Sequence, residues 1–521
     1  MKKEWKALID CRNMEIDEII DAICESRGID DITEFLNPTV DDLIDLEKLH
    51  NIKKAFAIVN AAITLDHKIT VWADTDVDGI TAGTIMYRYL KNFTDRVDVI
   101  INEGKRHGVS NEDIDADLLI VVDSINKASD YEWFIENDTD VIVLDHHIPP
   151  DEIKNYSKIT LVSSAVDYPN PQLSGAGVVW KFCRYCDEMY LTDYSNNLVD
   201  LAATGIIADM CDLSVPENRF ICKWGLGNIQ SLALKKINGT YNFDSQAVSF
   251  GIAPLVNACN RLEQNEVALN AFISDDEDFV KESVKYMRSL KDQQNVIIDR
   301  LMPNIVSQAE NQIDNKVMTF TIDVNEGVSG LLANKLMGMY QKPILVLKQD
   351  EKQYCGSARG CGIDDFRKVL TDCGATAEGH ELACGCFIPT DDFDTVKERL
   401  EDALANVEYE DKRVVDIQLD IRQVNKQLID NIKVLNYISG SGFKPITVMI
   451  VGISDYEVGD MSKGKHLKIA VGDTLVIMWN YVGGFDEFDG TPFSIIGGLN
   501  NGYFGKTFYN QVIIDDYKIG E

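Results

Sequence analysis

Short apolar runs alternate with helix-like segments through the first third of the chain. Residues 97–101, 118–122 and 141–144 are apolar or nearly so, and a further run rich in β-branched residues starts at Ile69. Such continuous runs are typical of strands that are covered on both faces of a sheet. Because these strands alternate with helices, the pattern predicts a parallel sheet with crossover helices, and therefore an α/β fold.

The patterns divide the 521 residues into five segments. We expect a helical lead-in at residues 1–50 that packs on the first domain, and a first α/β domain at residues 51–264. Residues 265–314 are polar and contain no glycine, which predicts long connecting helices. Residues 315–408 predict a second α/β domain with strands at 318–322 and 344–347. In residues 409–521 short strands are broken by Gly-rich turns, a pattern typical of a small β-barrel.

Three aspartates follow the run that starts at Ile69, namely Asp74, Asp76 and Asp78, with Gly79 opening a helix-like segment. On an extended chain alternate residues point the same way, so their charges would be crowded. Divalent cations are the natural partners of such a cluster. The alternative is a polar strand end in which an aspartate caps the next helix.

Further acidic residues and two histidines follow the next strands. Asp123 and Asp145 end two of the apolar runs, so we expect them at the same edge of the sheet. In the sequence Asp145-His146-His147, one imidazole can bind metal while the other faces a substrate; a polar turn before Pro149 is the alternative. Asp209 ends an apolar helix pattern, where it would be buried and need a partner such as a metal, unless it only caps the helix.

Two segments of the second α/β domain combine backbone amides with donor side chains. These are Gly356-Ser357-Ala-Arg359-Gly360 and Glu378-Gly379-His380, which suit the binding of a phosphate but are equally consistent with structural turns. In the last segment Lys463, Lys465, His466, Lys468, Trp479, Tyr481 and Phe504 could bind single-stranded nucleic acid, or be ordinary surface and core residues.

Charge changes this picture in one respect. The formal net charge is −35, which argues against a non-specific phosphate-binding surface, because nucleic-acid affinity depends largely on Lys and Arg. Residues 411–521 carry only −3 of that charge.

The twelve cysteines predict reduced buried thiols, since Cys183 and Cys186 have metal-like spacing but no second matching pair. No apolar stretch is long enough to span a bilayer and the start lacks a signal peptide, so we expect a cytoplasmic protein without membrane contact.

Taken together, the motifs resemble those of the DHH phosphoesterases, and in particular their single-strand-specific exonucleases. The resemblance covers almost the whole chain. It rests on Asp74-Thr-Asp76-Val-Asp78-Gly79, Val122-Asp123-Ser124, Asp145-His146-His147, Leu173-Ser-Gly-Ala-Gly177, Ile207-Ala-Asp209, Glu217-Asn218-Arg219, Gly327-Val-Ser-Gly330 and Gly379-His380. It implies two α/β domains joined by a long helix, with a C-terminal barrel of the oligonucleotide-binding (OB) type.

The resemblance also implies roles for individual residues. Two divalent cations, Mn²⁺ by preference or Mg²⁺, would be held by Asp76, Asp78, Asp123, His146 and Asp209. The catalytic residues would be Asp74, Asp145, His146 and His147, of which Asp74 would ligate or support the first ion and His147 would contact the scissile phosphate. The substrate would be bound by Arg106, Arg261, Ser357, Arg359, Gly379 and His380.

The implied activity is 5′→3′ hydrolysis of single-stranded DNA to 5′-mononucleotides in DNA repair or recombination. A monomer assisted by a single-strand-binding protein or a helicase is expected. Two alternatives are a phosphodiesterase of short oligonucleotides or cyclic dinucleotides and a non-catalytic replication or repair scaffold. Three departures from the family pattern lie at substrate contacts: Val109 with Ser110, Leu255 with Asn260, and Glu378. None of them is a predicted metal ligand, so they bear on the preference for a 5′-phosphate rather than on the hydrolysis.

Overall fold

The computed structural model describes residues 3–104, 108–109, 114–154, 156–239, 242–323, 326–409, 411–461, 466–479, 481, 484, 487–504 and 507–520. The strands are β1 (Lys3–Asp10), β2 (Ile69–Ala73), β3 (Val97–Ile101), β4 (Leu118–Val122), β5 (Asp140–Asp145), β6 (Ile159–Ser163), β7 (Met318–Ile322), β8 (Ile344–Gln349), β9 (Gln353–Arg359), β10 (Thr376–His380), β11 (Ala383–Pro389), β12 (Asp411–Leu419), β13 (Thr447–Ile453), β14 (Glu457–Met461), β15 (His466–Val471), β16 (Thr474–Met478), β17 (Phe493–Phe504) and β18 (Thr507–Ile519).

The helices are α1 (Ile16–Ser26), α2 (Ile32–Leu36), α3 (Ile52–Thr64), α4 (Val77–Leu90), α5 (Glu132–Glu136), α6 (Asp151–Lys154), α7 (Gly175–Tyr190), α8 (Val199–Ala208), α9 (Pro216–Gly227), α10 (Leu232–Asn238), α11 (Ala253–Arg261), α12 (Asn265–Ile273), α13 (Glu277–Glu310), α14 (Ser329–Tyr340), α15 (Phe366–Asp372), α16 (Phe393–Ala403) and α17 (Lys426–Leu435). A π-helical turn (Ala247–Ile252) precedes α11. Within the described residues, no helix is long and apolar enough to cross a membrane.

The first sheet is the predicted parallel sheet, with strand order β3-β2-β4-β5-β6. Its central strands are buried along their whole length. Val71 and Val122 face a core that includes α4, α7 and α8, whereas Trp72 and Val121 face a second core against α5. Coverage on both faces explains why these strands are continuously apolar.

The second sheet has the order β10-β11-β9-β8-β7, with β7 and β8 parallel and the remaining pairs antiparallel. The predicted long helix is α13, whose 34 residues join the first two units. Its early residues Val280 and Val284 pack in the core of the first unit, and Leu301 and Ile305 pack in that of the second. One helix thus sets the spacing of the two units.

The prediction of a small C-terminal barrel is wrong. The strands form an eight-stranded sheet of order β1-β12-β13-β17-β18-β16-β15-β14. Closure would require β1 to pair with β14, and no such pairing occurs among the described residues. The edge next to β12 is instead taken by β1, which comes from the other end of the chain.

The lead-in also differs from its prediction. It starts with β1, and Ile19 and Ile23 of α1 pack with Leu428 and Ile432 of α17 rather than on the first unit. Only the later lead-in residues, such as Leu46 and Leu49, join the core of the first unit. Residues 3–49 therefore tie the two ends of the molecule together.

Candidate metal centre and substrate cleft

Parallel pairing brings the acidic strand ends together. Ala73 at the end of β2 lies opposite Val122 at the end of β4, so Asp74 and Asp123 follow at the same edge, with Asp145 ending β5 beside them. All three carboxylates are buried. Asp123 adopts a left-handed backbone conformation, with φ of 57°. Such conformations in non-glycine residues are rare and are concentrated at functional sites.

Asp76 and Asp78 do not alternate on an extended chain as predicted, because α4 already begins at Val77. Asp76 is the N-cap of α4, and its Oδ1 accepts a hydrogen bond from the Gly79 amide at 3.1 Å. Helix capping and charge crowding, predicted as alternatives, therefore occur together at this residue.

Asp78 lies in the first turn of α4 and points at the start of α7. Its carboxylate accepts hydrogen bonds from the Ser174 hydroxyl (2.9 Å) and from the amides of Gly175 (2.7 Å) and Ala176 (3.1 Å). A Cβ atom on Gly205 of α8 would lie 2.2 Å from Asp78 Oδ1. Three helices thus fix this carboxylate in one orientation.

The Asp145-His146-His147 turn is organised by its aspartate. Oδ1 of Asp145 accepts hydrogen bonds from the amides of His146 (2.6 Å) and His147 (3.0 Å), and lies 2.8 Å from His147 Nδ1. The imidazole of His146 points into the carboxylate cluster, with Nε2 3.3 Å from Asp123 Oδ1 and 3.7 Å from Asp209 Oδ2. The side chain of His147 is 52% exposed. The two imidazole rings lie close together, with centroids 4.3 Å apart, so they do not diverge as the sequence predicts and differ mainly in exposure.

Asp209 lies at the C-terminal end of α8, where its side chain is 29% exposed. Asp209 is therefore partly rather than fully buried, in contrast to the prediction, and the next residue, Met210, is largely exposed. The end of α8 opens toward solvent, so this carboxylate completes the cluster from its open side.

Three overlapping groups have ligand atoms within 4.8 Å of one another. They are Asp123, Asp145, His146 and His147; Asp78, His146 and Asp209; and Asp74, Asp76 and Asp123. Asp123 and His146 are each shared by two groups, which indicates adjacent cation positions.

The buried atoms Asp123 Oδ1, Asp145 Oδ2 and His146 Nε2 make no hydrogen bond among the described residues. Buried polar atoms without hydrogen bonds are rare in folded proteins and require an explanation. Carboxylate oxygens mixed with imidazole nitrogen suit Mn²⁺ and related divalent ions. The donor set therefore fits such cations.

The carboxylates of this cluster repel one another when they are ionised. Burial raises the pKa of Asp76 to about 6, with further contributions from Asp74 and Asp209. Burial and the neighbouring carboxylates raise the pKa of Asp123 well above its usual value. Burial also raises the pKa of Asp209, reinforced by Asp78. A bound cation would offset this concentration of negative charge.

The histidine pair behaves differently. Burial alone would lower the pKa of His147, but the hydrogen bond to Asp145 and the charge of that carboxylate raise it to about 9. Burial would raise the pKa of Asp145, and the contacts with both imidazoles lower it instead. His147 is therefore protonated at neutral pH and can donate to an anionic substrate.

A cavity of about 820 Å³ lies between the first two units. The predicted residues Arg261, Ser357, Arg359 and Gly379 line it, together with Asn260, Ser329, Glu103, Glu263 and Glu378. Nδ2 of Asn260 donates to the Thr75 carbonyl at 3.0 Å, which links the cavity to the aspartate-rich turn. His380 lies exposed on β10 and is not part of this lining, and Arg106 lies outside the described residues.

Sequence reasoning missed several residues that shape the site. Ser174 holds Asp78; the helix-capping signal Ser-Gly-Ala-Gly indicates the start of a helix there but not this contact. Asn260 was only noted as a departure from the family pattern. Glu103 and Glu263 come from loops with no recognisable signal, and they bring negative charge to the walls of the cavity.

The other candidate residues have mixed outcomes. Tyr481 is buried in the core of the third unit, whereas Trp479 is 50% exposed beside His466. Lys463 and Lys465, and the side chain of Phe504, lie outside the described residues. Cys183 and Cys186 are buried free thiols, and no cysteine joins a metal-binding group in the described part of the chain.

Comparison with known proteins identifies relatives over most of the chain. The chain is 28% identical over 488 residues to the "Putative SPbeta prophage-derived single-strand DNA-specific exonuclease YorK" of Bacillus subtilis, covering 85% of this chain and 84% of that protein. It is 26% identical over 458 residues to the single-stranded-DNA-specific exonuclease RecJ of the same organism, covering 82% of this chain but only 58% of RecJ.

The fold matches that of a solved relative. The crystal structure of RecJ in complex with Mn²⁺ from Thermus thermophilus superposes with a TM-score of 0.81 at 22% identity, covering 99% of this chain and 79% of that chain. Residues 68–206 match the family model described as DHH family, N-terminal domain. The chain therefore contains a region that matches the DHH family, and it is similar to the RecJ exonucleases over most of its length.

Proposed function

We propose that this protein is a divalent-metal-dependent 5′→3′ exonuclease that hydrolyses single-stranded DNA to 5′-mononucleotides. The observation that carries the proposal is the pair of buried atoms Asp123 Oδ1 and His146 Nε2. They lie 3.3 Å apart without hydrogen bonds, at a sheet edge linked through Thr75 and Asn260 to the cavity. The relatives named as single-strand-specific exonucleases support the substrate class.

The cations would be held by residues of all three groups. These are Asp76, Asp78, Asp123, His146 and Asp209, with Asp74 in support. Two divalent ions, Mn²⁺ or Mg²⁺, would lower the pKa of an attacking water and offset charge on the leaving oxygen. Asp145 keeps His147 protonated and turned toward solvent, where the imidazolium can donate to an oxygen of the scissile phosphate.

The cavity would bind the strand by its backbone. Arg261 and Arg359 can pair with phosphate oxygens, while Ser357 and the Gly379 amide can donate hydrogen bonds. Such contacts do not recognise the base sequence. Because three glutamates also line the cavity, phosphate binding would be weaker than in a purely basic groove.

The biological setting is an extension of this proposal. Action in DNA repair or recombination, in the cytoplasm, as a monomer assisted by a single-strand-binding protein or helicase, is what the family relationship favours. None of these features follows from the geometry of the site.

The test uses single-stranded DNA labelled at either end, with and without a 5′-phosphate, incubated with Mn²⁺ or with EDTA. Asp123→Asn should abolish the release of mononucleotides, whereas Asp17→Asn, on the exposed face of α1, should leave it unchanged. Absence of release from every substrate would refute the proposal. Cleavage of dinucleotides alone would favour the alternative phosphodiesterase, and binding without hydrolysis would favour a scaffold.

A further inference from the structure

The loop that follows Asp209 is held by the third unit. Between the end of α8 and the start of α9, the amide of Leu213 donates a hydrogen bond to the Ser441 carbonyl at 2.9 Å. Ser441 belongs to residues 438–443, which follow α17 and which we call the C-terminal turn. The contact joins residues more than 200 positions apart in the sequence.

The C-terminal turn packs closely against this loop. Gly442 has φ of 71°, and a Cβ atom there would lie 1.7 Å from Asp212 Oδ1. The same oxygen accepts hydrogen bonds from the amide (2.8 Å) and hydroxyl (2.6 Å) of Ser214, so the Asp212 carboxylate is not free to swing away. Only glycine satisfies both the backbone conformation and the close approach.

Arg219 of α9 contacts both the loop and the C-terminal turn. Its side chain is buried, and Nη1 donates to the carbonyls of Leu213 (3.0 Å) and Ile438 (3.2 Å). The guanidinium carbon lies 3.6 Å from the ring centroid of Phe35. With carbonyls and an aromatic face as partners, Arg219 can hold the three segments in register.

The loop leads directly back to the metal centre. Asp209 is four residues before Leu213, and its Oδ2 accepts a hydrogen bond from Cys211 Sγ at 3.4 Å. Asp78, by contrast, is fixed by two backbone amides and a hydroxyl. The loop thus supplies the hydrogen bond to the Asp209 carboxylate, whereas the start of α7 supplies those to Asp78.

We propose that the C-terminal turn positions Asp209 through the Asp212–Leu213 loop, so that Gly442 and Arg219 are positioning residues for the metal centre. This inference rests on the proposed function, since it takes Asp209 to be a ligand. The third unit then has a second role besides any contact with DNA, because its docking completes the cation site.

The test is direct Mn²⁺ binding to the full chain, measured by calorimetry and by the electron paramagnetic resonance signal of free Mn²⁺. Gly442→Ala should weaken binding by about 10-fold or more, the usual effect of disturbing groups that orient a ligand. Gly472→Ala is the matched control, because Gly472 also has positive φ, at 55°, but nothing lies within 4 Å of its Cβ position. Binding to this control should equal that of the unaltered chain.

A second substitution separates positioning from general damage. Adding Asp212→Ala to Gly442→Ala removes the clashing carboxylate and should recover much of the lost affinity. Arg219→Lys keeps the charge but not the paired carbonyl contacts, and serves if Gly442→Ala does not fold; we expect a smaller loss in the same direction. At saturating Mn²⁺, kcat should recover while KM for DNA stays unchanged.

The outcomes distinguish the two proposals. If the unaltered chain binds no Mn²⁺, the proposed function fails. If it binds Mn²⁺ and Gly442→Ala binds as tightly as Gly472→Ala, the positioning role is refuted and the proposed function stands.

Discussion

The charge crowding at Asp76 predicts that Asp76→Asn stabilises the metal-free protein while abolishing its metal-dependent activity. Burial and neighbouring carboxylates raise the pKa of this residue from 3.8 to about 6. A pKa that is raised by about two units means that the ionised carboxylate lowers the free energy of unfolding by about 3 kcal/mol. Asn removes the charge and keeps an acceptor for the Gly79 amide, and it is as good an N-cap as Asp.

The sign of the pH dependence follows from the raised pKa. Well below pH 4, Asp76 is protonated in the folded protein and largely so in the unfolded chain, so its native environment carries no charge penalty. As the pH rises from about 4 through about 6, the folded protein must ionise a partly buried carboxylate, and that stability is lost. The advantage of Asn should therefore be near zero at about pH 3, amount to about 0.5 kcal/mol at pH 4 and reach at most about 3 kcal/mol at pH 8.

Hydrogen exchange of α4 in EDTA, between pH 5 and 8, measures this effect locally and avoids treating a chain of several units as one cooperative transition. Asp17→Asn controls for the loss of one surface charge. Adding Mn²⁺ should reverse the ranking, because only the unaltered site gains the full binding energy. Equal protection of α4 in both proteins at pH 8, or lower protection in Asp76→Asn, would show that the carboxylates do not oppose one another as described.

Three further predictions concern other parts of the site and its support. His147→Gln should lower kcat by about 100-fold or more with Mn²⁺ binding retained, which single-turnover assays and calorimetry can separate; weakened Mn²⁺ binding would contradict the role given to His147. Arg359→Gln should raise KM for single-stranded DNA and flatten its salt dependence by about one phosphate contact, and an unchanged salt slope would argue against phosphate binding by Arg359. Glu217→Ala should destabilise the first unit by about 3–5 kcal/mol, because it leaves the fully buried Lys181 without its ion-pair partner; a urea denaturation midpoint near that of the unaltered chain would contradict this.

The parallel sheet and the aspartate cluster could be predicted because both depend on local patterns. Strands covered on both faces must be apolar throughout, and parallel strands place their final residues at one edge. The ends of β2, β4 and β5 therefore had to bring Asp74, Asp123 and Asp145 together.

The remaining features depend on contacts between distant segments. Nothing near Asp78 indicates that the start of α7 will solvate it, and nothing near Tyr481 distinguishes a core aromatic ring from an exposed one. The barrel prediction rests on short strands broken by Gly-rich turns, a pattern that does not indicate which strands pair. It failed because β12 pairs with β1, a strand whose alternating pattern says nothing about its neighbour.

The pairing of β1 with β12 also has a consequence for synthesis. Lys3 lies opposite Asp411, so a ribosome adding roughly 5–20 residues per second needs roughly 20–80 seconds to deliver the partner of the first strand. During that interval β1 has no partner strand in its own chain. Its charged residues Glu4, Lys6 and Asp10 then lie along an open edge and discourage pairing with other chains. The last sheet of the molecule to form is thus the one whose first strand leaves the ribosome earliest.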